Sequence, residues 1–207
     1  MTSVGAVILA AGRSSRWRAA GGAEATKLVA EVAGKAIVRR VAEAALASRA
    51  RPVVAVVGHA REAVGAALAG LDVTVAVNQS FASGVASSLR TGLAALPPEV
   101  AAALVLLGDM PDVAAPLIDR LIETFEADPG VLAVAPVTAG RRGNPVLIAR
   151  GLFGPAMALE GDEGARRLLR SLGPGAVAEV ETDGGAAFDV DTPHDLTAAG
   201  LGRGERN

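Results

Sequence analysis

The chain has 207 residues, 51% of them hydrophobic and only 2% aromatic, so one core must be built from Val, Leu, Ile and Ala. With 20 basic against 22 acidic residues the net charge is −2, which provides no general field for nucleic acid or an anionic membrane. No cysteine excludes disulfides, iron–sulfur clusters and thiolate zinc sites, and two histidines are too few for a His-built metal centre, so any metal would be held by oxygens.

The first residues carry no basic segment followed by a signal-type apolar core, and no apolar stretch is long enough to span a bilayer. A cytoplasmic protein without nucleic-acid or membrane partners is expected. Apolar runs of strand length recur at Val4–Ala10, Val53–Val57, Val73–Val77, Leu104–Leu107, Val131–Val137, Val146–Ala149 and Val177–Val180. Several are apolar at nearly every position, which suits strands covered on both faces in a mostly parallel sheet. Segments of helical spacing lie between them at Lys35–Ser48, Arg61–Ala69, Val85–Leu96 and Ala115–Glu126. Asp112 is a predicted N-cap for the last of these, with Pro116 in its first turn. The alternation predicts a three-layer α/β domain over residues 1–202, followed by a short polar tail at 203–207.

In such folds ligands sit at the carboxyl ends of the strands. The polar and glycine-rich segments of this chain follow its apolar runs: Ala10-Ala11-Gly12-Arg13-Ser14-Ser15-Arg16, Gly58-His59-Ala60-Arg61, Asn78-Gln79-Ser80-Phe81, Gly108-Asp109-Met110-Pro111 and Thr138 to Pro145. One topology would bring them to one edge of the sheet. In the first, small residues let a ligand approach the backbone, and Arg13 and Arg16 flank a turn rich in N–H donors, which suits a phosphate chain.

Asp109 ends a buried run and is either a magnesium ligand or a turn cap; Mg2+ usually takes one or two carboxylates plus phosphate and water oxygens. Of Asp189 and Asp191 one is expected to face the site, with Asp191 preferred, and Thr192 and Pro193 read as the cap and first position of a helix. Lys27 could neutralise a phosphate or be a surface lysine. Gly84, Ser87 and Ser88 start a helix and could read a base or sugar hydroxyl, or cap the helix. Gly143-Asn144-Pro145 is either a hairpin turn or a pocket for a second anionic substrate. Asp162-Glu163 reads as the acidic start of a helix, and the surrounding Gly-Asp-x-Gly turn could shape the same pocket.

The set LAAGRSSR…K, SGVASSLRTGL, LLGDMP, GNPVL, GDEGARRLL and DVDTP, in this order, resembles the MobA-like nucleotidyltransferases, and among them the molybdenum cofactor cytidylyltransferases. The resemblance spans residues 4 to 200. It implies a Rossmann-like domain that uses CTP and Mg2+ to convert a pterin-type molybdenum cofactor to its cytosine dinucleotide form with release of pyrophosphate, and a molybdoenzyme or its chaperone as partner. Leu9, Ala10, Ala11, Gly12, Ser14, Arg16, Lys27, Asn78, Gly84, Ser87, Ser88 and Asp109 would then bind the nucleotide. Arg16, Lys27 and Asp109 would act on its phosphates, Asp109 and Asp191 would hold the metal, and Gly143, Asn144, Pro145 and Asp162 would face the acceptor. The Ala-Ala-Gly motif and the segment Ser88–Gly92 are similar to the cytidine-using branch. Guanylyl- or sugar-phosphate transfer on the same scaffold is the alternative, as is a relative of the nicotine-blue oxidoreductases or a cofactor-handling protein.

The chain departs from the family pattern in two places. Trp17 replaces the usual Met, and the approach to Lys27 through residues 18–26 is longer, an inserted loop expected to be mobile. Asn144 stands where a His is usual.

Overall fold

The computed structural model describes residues 2–182 and 189–196; the expected tail, the domain end at 202 and Phe188 lie outside them. The first half of the chain forms β1 (Val4–Ala10), α1 (Ser15–Ala19), β2 (Glu31–Val32), β3 (Lys35–Ala36), α2 (Ile37–Ala47), β4 (Val53–Val57), α3 (Arg61–Ala67), β5 (Thr74–Val77) and α4 (Val85–Ala94). The second half forms β6 (Ala102–Leu107), α5 (Ala115–Ala127), β7 (Ala133–Thr138), β8 (Arg141–Arg142), β9 (Val146–Ala149), α6 (Phe153–Met157), α7 (Ala165–Ser171) and β10 (Val177–Glu181).

The main sheet runs β10-β7-β9-β6-β1-β4-β5, with β8 added to β7. β1 pairs in parallel with β4 and β6, β4 with β5, and β7 with β10. β9 alone of the long path runs antiparallel, between β6 and β7. The mostly parallel sheet is therefore as expected. Its two faces carry separate cores. Val4, Ala6 and Ile8 of β1 pack with Val38 and Val41 of α2 and Ile118 and Leu121 of α5. Val7 faces the other way, with Leu89 and Leu93 of α4 and Leu168 of α7. This period-two division of a fully buried strand makes three layers. Shortening fully buried Leu121 to Ala would cost about 2–5 kcal/mol. Among the described residues no helix is long and apolar enough to cross a membrane.

Three local departures from the sequence reading have physical causes. The helix expected from Lys35 starts at Ile37, because Lys35–Ala36 pairs with Glu31–Val32 around a two-residue turn. That turn has Ala33 at φ 52° and Gly34 at φ 73°, the positive pair a tight hairpin needs. Asp112 is not the cap of α5: Ala114 holds that position without a side-chain cap bond, while Pro116 sits in the first turn as expected. Asp162 and Glu163 precede α7, whose N-cap is Gly164, and Glu163 pairs with Arg167 across the helix start.

Candidate functional site

β1 lies between β4 and β6 with Ala10 level with Val57 and Leu9 level with Leu107, so three loops leave the sheet at one height. Glycines let them close on each other. A Cβ on Gly58 would fall 2.8 Å from Ala11 Cβ and 2.7 Å from Phe81 Cβ, and one on Gly108 3.0 Å from the Leu9 carbonyl oxygen. His59 N–H donates to the Ala11 carbonyl and Gly108 N–H to that of Leu9. Ala10 and Ala11 are buried and Gly12 is exposed, so the first motif offers a ligand mainly backbone.

The long connection after Arg16 is folded in. Trp17 is 1% exposed and packs with Ala30, Val32, Ile37 and Val190. Gly22 packs close against the indole: a Cβ there would sit 2.0 Å from Trp17 Nε1. The chain then enters a 3-10 turn at Lys27–Val29, capped by Thr26. Far along the sequence, Val190 N–H donates to the Asp109 carbonyl, which lays the 189–191 segment beside the end of β6. Thr192 and Asp195 cap the following helical turn reciprocally: Thr192 N–H donates to Asp195 Oδ2 at 2.7 Å, and Asp195 N–H to Thr192 Oγ1 at 3.4 Å.

These elements converge on one ammonium. Lys27 Nζ lies 2.7 Å from Asp109 Oδ2 and 2.6 Å from Asp191 Oδ1. Arg16, largely exposed, pairs with the other Asp191 oxygen. Burial pushes the Lys27 ammonium toward neutrality, but the carboxylates of Asp109 and Asp191 outweigh it and raise its pKa above the ordinary lysine value. The hydrogen bond from Lys27, aided by Arg16 and opposed by burial, holds the Asp191 carboxyl below its ordinary range. Asp189 is exposed, so Asp191 is the acid of that segment facing the cluster. A cavity of about 250 Å³ is lined by Gly12, Ser14, Arg16, Lys27, Asp109 and Asp191.

The donor set fits a small divalent cation. Asp109 Oδ1 is buried with no hydrogen-bond partner among the described residues. Asp191 supplies a second carboxylate across Lys27. Two carboxylates completed by phosphate and water oxygens suit Mg2+, and among the described residues no group of three or more His, Asp or Glu is placed to hold a metal ion.

The remaining expected residues lie elsewhere. Asn78 borders a second cavity, of about 480 Å³, with His59, Arg61, Gln79 and Phe81. Its Nδ2 donates to Ser87 Oγ at 2.8 Å and Ser88 Oγ at 3.0 Å, so these three buried groups satisfy one another. Gly84 has φ 104° and packs on the Gly161 carbonyl, which accepts from Ala86 N–H. Gly143, Asn144 and Pro145 are buried where the chain crosses from β8 to β9, and Asp162 is exposed; none borders either cavity. The hairpin turn in this region is at Ala139-Gly140, both at positive φ, two residues before Arg142 ends β8. Two neighbours were not singled out as site residues in the sequence. Phe81 is one of 4 phenylalanines and stands in a polar segment, and its ring lies 5.8 Å from that of His59. Thr26 was signalled only by a capping-type residue directly before Lys27.

Residues 6–177 match the model of the MobA-like NTP transferase domain. The fold is similar to Rv0371c of Mycobacterium tuberculosis H37Rv, with TM-score 0.83 and 30% identity over 97% of this chain and 98% of that one. A manganese complex of Rv0371c aligns with TM-score 0.76 and 28% identity over 96% and 97% of the two chains. The bifunctional protein GlmU of Burkholderia lata is 36% identical over 129 residues, 62% of this chain. That alignment spans 27% of the GlmU chain.

Proposed function

The chain belongs to the MobA-like NTP transferase family, and from that premise we propose that it transfers CMP from CTP to a pterin-type molybdenum cofactor, releasing pyrophosphate. The observation that carries the transferase reading is the Lys27 ammonium held between Asp109 and Asp191 under the backbone of the first loop. Cytidine is supported by the Ala10-Ala11-Gly12 motif and by the similarity of Ser88–Gly92 to that branch, and the molybdopterin acceptor by the order of the motifs along the chain, from which Asn144 departs.

In the proposed reaction an acceptor phosphate oxygen attacks the α-phosphorus, the bond from that phosphorus to the β-phosphate bridging oxygen breaks, and pyrophosphate leaves. No protein nucleophile is required. Lys27 keeps its charge and is mostly shielded from water, so it acts as a fixed cation toward the crowded phosphate oxygens. Arg16 stands at the open rim and would meet the outer phosphates. Each cation now has a carboxylate partner that a phosphate would replace. Asp109 Oδ1 and Asp191 would hold Mg2+, which when bound supplies neutralising charge on the phosphate oxygens. The base and ribose would lie along the backbone at Leu9–Gly12, and Ser14, Asn78, Gly84, Ser87 and Ser88 would complete the nucleotide site. Asn78 opens there on the larger cavity. Gly143, Asn144, Pro145 and Asp162 would shape the acceptor side. Action in the cytoplasm, with a molybdoenzyme or its chaperone receiving the product, completes the proposal.

The test is pyrophosphate release from CTP in the presence of Mg2+ and the molybdopterin cofactor. Turnover should need all three, and Asp109→Asn should lower it on the order of a hundredfold. Normal turnover by that variant would remove Asp109 from the site, and release from GTP or UTP in place of CTP would overturn the cytidine assignment.

A further inference from the structure

We infer that Thr26 is a positioning residue for Lys27: its buried hydroxyl, locked to that of Ser14, sets the lysine in the site read above as phosphate-binding, on which reading the inference rests. Thr26 is 0% exposed, and a hydroxyl so far from water is kept only when it is hydrogen-bonded. Its Oγ1 lies 2.8 Å from Ser14 Oγ, across the whole inserted connection. The two oxygens also flank the lysine backbone. Lys27 N–H donates to Ser14 Oγ at 3.3 Å, and Leu28 N–H to Thr26 Oγ1 at 3.4 Å. Each hydroxyl oxygen thus accepts one amide proton, and a single hydroxyl proton joins the pair. The turn that carries Lys27 is thus tied to the phosphate-type loop through the Lys27 amide and the Thr26 hydroxyl, while the Leu28 amide closes the Thr26 cap.

Ser14 shows that this arrangement overrides local preference. It has φ 50° and ψ 42°, the left-handed region that non-glycine residues enter rarely. It stands at the N-cap of α1 yet makes no cap bond there; its side chain serves Thr26 and Lys27 instead. The need is set by chain length. With residues 17–26 between the loop and the lysine, the covalent path alone holds Lys27 loosely. The hydroxyl bridge shortens the effective path to one hydrogen bond. Ser14 and Lys27 accordingly line the same cavity as Asp109 and Asp191.

The experiment measures the dissociation constant of CTP with MgCl2 by calorimetry, alongside melting temperature. Thr26→Val keeps the shape and removes the hydroxyl; it should weaken CTP about tenfold, and Thr26→Ser should restore binding to within about twofold. Combined with Lys27→Met, the valine should cost nothing more, because the group it positions is gone. Should Thr26→Val fold poorly, Ser14→Gly, which accepts the left-handed backbone, is the variant expected to show the same tenfold loss. Unchanged CTP binding in Thr26→Val and Ser14→Gly, an equal further loss in the Lys27→Met background, or no rescue by serine would overturn the inference. Full CTP binding by Lys27→Met, or none by the wild type, would instead overturn the phosphate-binding reading and the inference with it.

Discussion

Lys27 Nζ lies 2.7 Å from Asp109 Oδ2, joining the inserted connection to the end of the central strand β6. Both side chains are mostly withdrawn from water, at 12% and 20% exposure. In such a pair, removing one partner strands the other charge, and the loss exceeds that of a surface ion pair. The cluster therefore contributes to folding, and its parts report on each other.

Gly84 is tied to the turn at Gly161. Its φ of 104° is strained for any side chain, and a Cβ would stand 2.2 Å from the Gly161 backbone carbonyl. Gly84→Ala should destabilise the protein by about 1–3 kcal/mol in urea titration, because backbone cannot move aside as a side chain can. A variant as stable as the wild type would show that this contact is loose.

Gly92 tests the opposite balance. In a helix, Gly→Ala normally gains about 1 kcal/mol. Here the added Cβ would fall 2.2 Å from Val7 Cγ1 and 3.0 Å from Val56 Cγ2, on the paired strands β1 and β4. Overpacking of about 1–3 kcal/mol should win, so Gly92→Ala lowers the melting temperature while Gly92→Ala with Val7→Ala recovers part of the loss.

The sheet was legible because its strands are buried on both faces and read as unbroken apolar runs, Val53–Val57 being the clearest. The short β2–β3 ribbon was not, since its turn uses Ala33 at positive φ, where Gly or Asn is the usual signal. Asp109 and Arg16 were legible from their place after strands. Lys27 was legible as a lysine following the phosphate-type loop and through the family motif, but not how its longer connection folds, which is by Trp17 meeting Val190. No local pattern reports a contact between residues so distant in sequence. Ser87 and Ser88 carried a signal with two readings, and their hydrogen bonds from Asn78 are of the kind that holds a loop.

Asp191 gives the site a pH signature in folding. Its native pKa is lowered, chiefly by the hydrogen bond from Lys27, from an ordinary 3.8. The unfolded state then binds the proton more readily. The stabilisation is complete above the ordinary value and is lost as pH falls through the lower native one. Asp191→Asn should flatten the fall of stability below about pH 4. Lys27, raised above 10.5, works at the other end: its contribution is present below that value and lost as pH rises through the native one. Identical acid limbs for wild type and Asp191→Asn would mean that this ion pair does not persist in solution.

The most direct measurement is thermal melting with each nucleoside triphosphate, with and without Mg2+. If Lys27, Asp109 and Asp191 form a metal–nucleotide site, CTP with Mg2+ raises the melting temperature more than either alone, and Lys27→Met and Asp109→Asn abolish the gain. Melting that no nucleotide shifts, or a shift that survives both substitutions, would contradict the account.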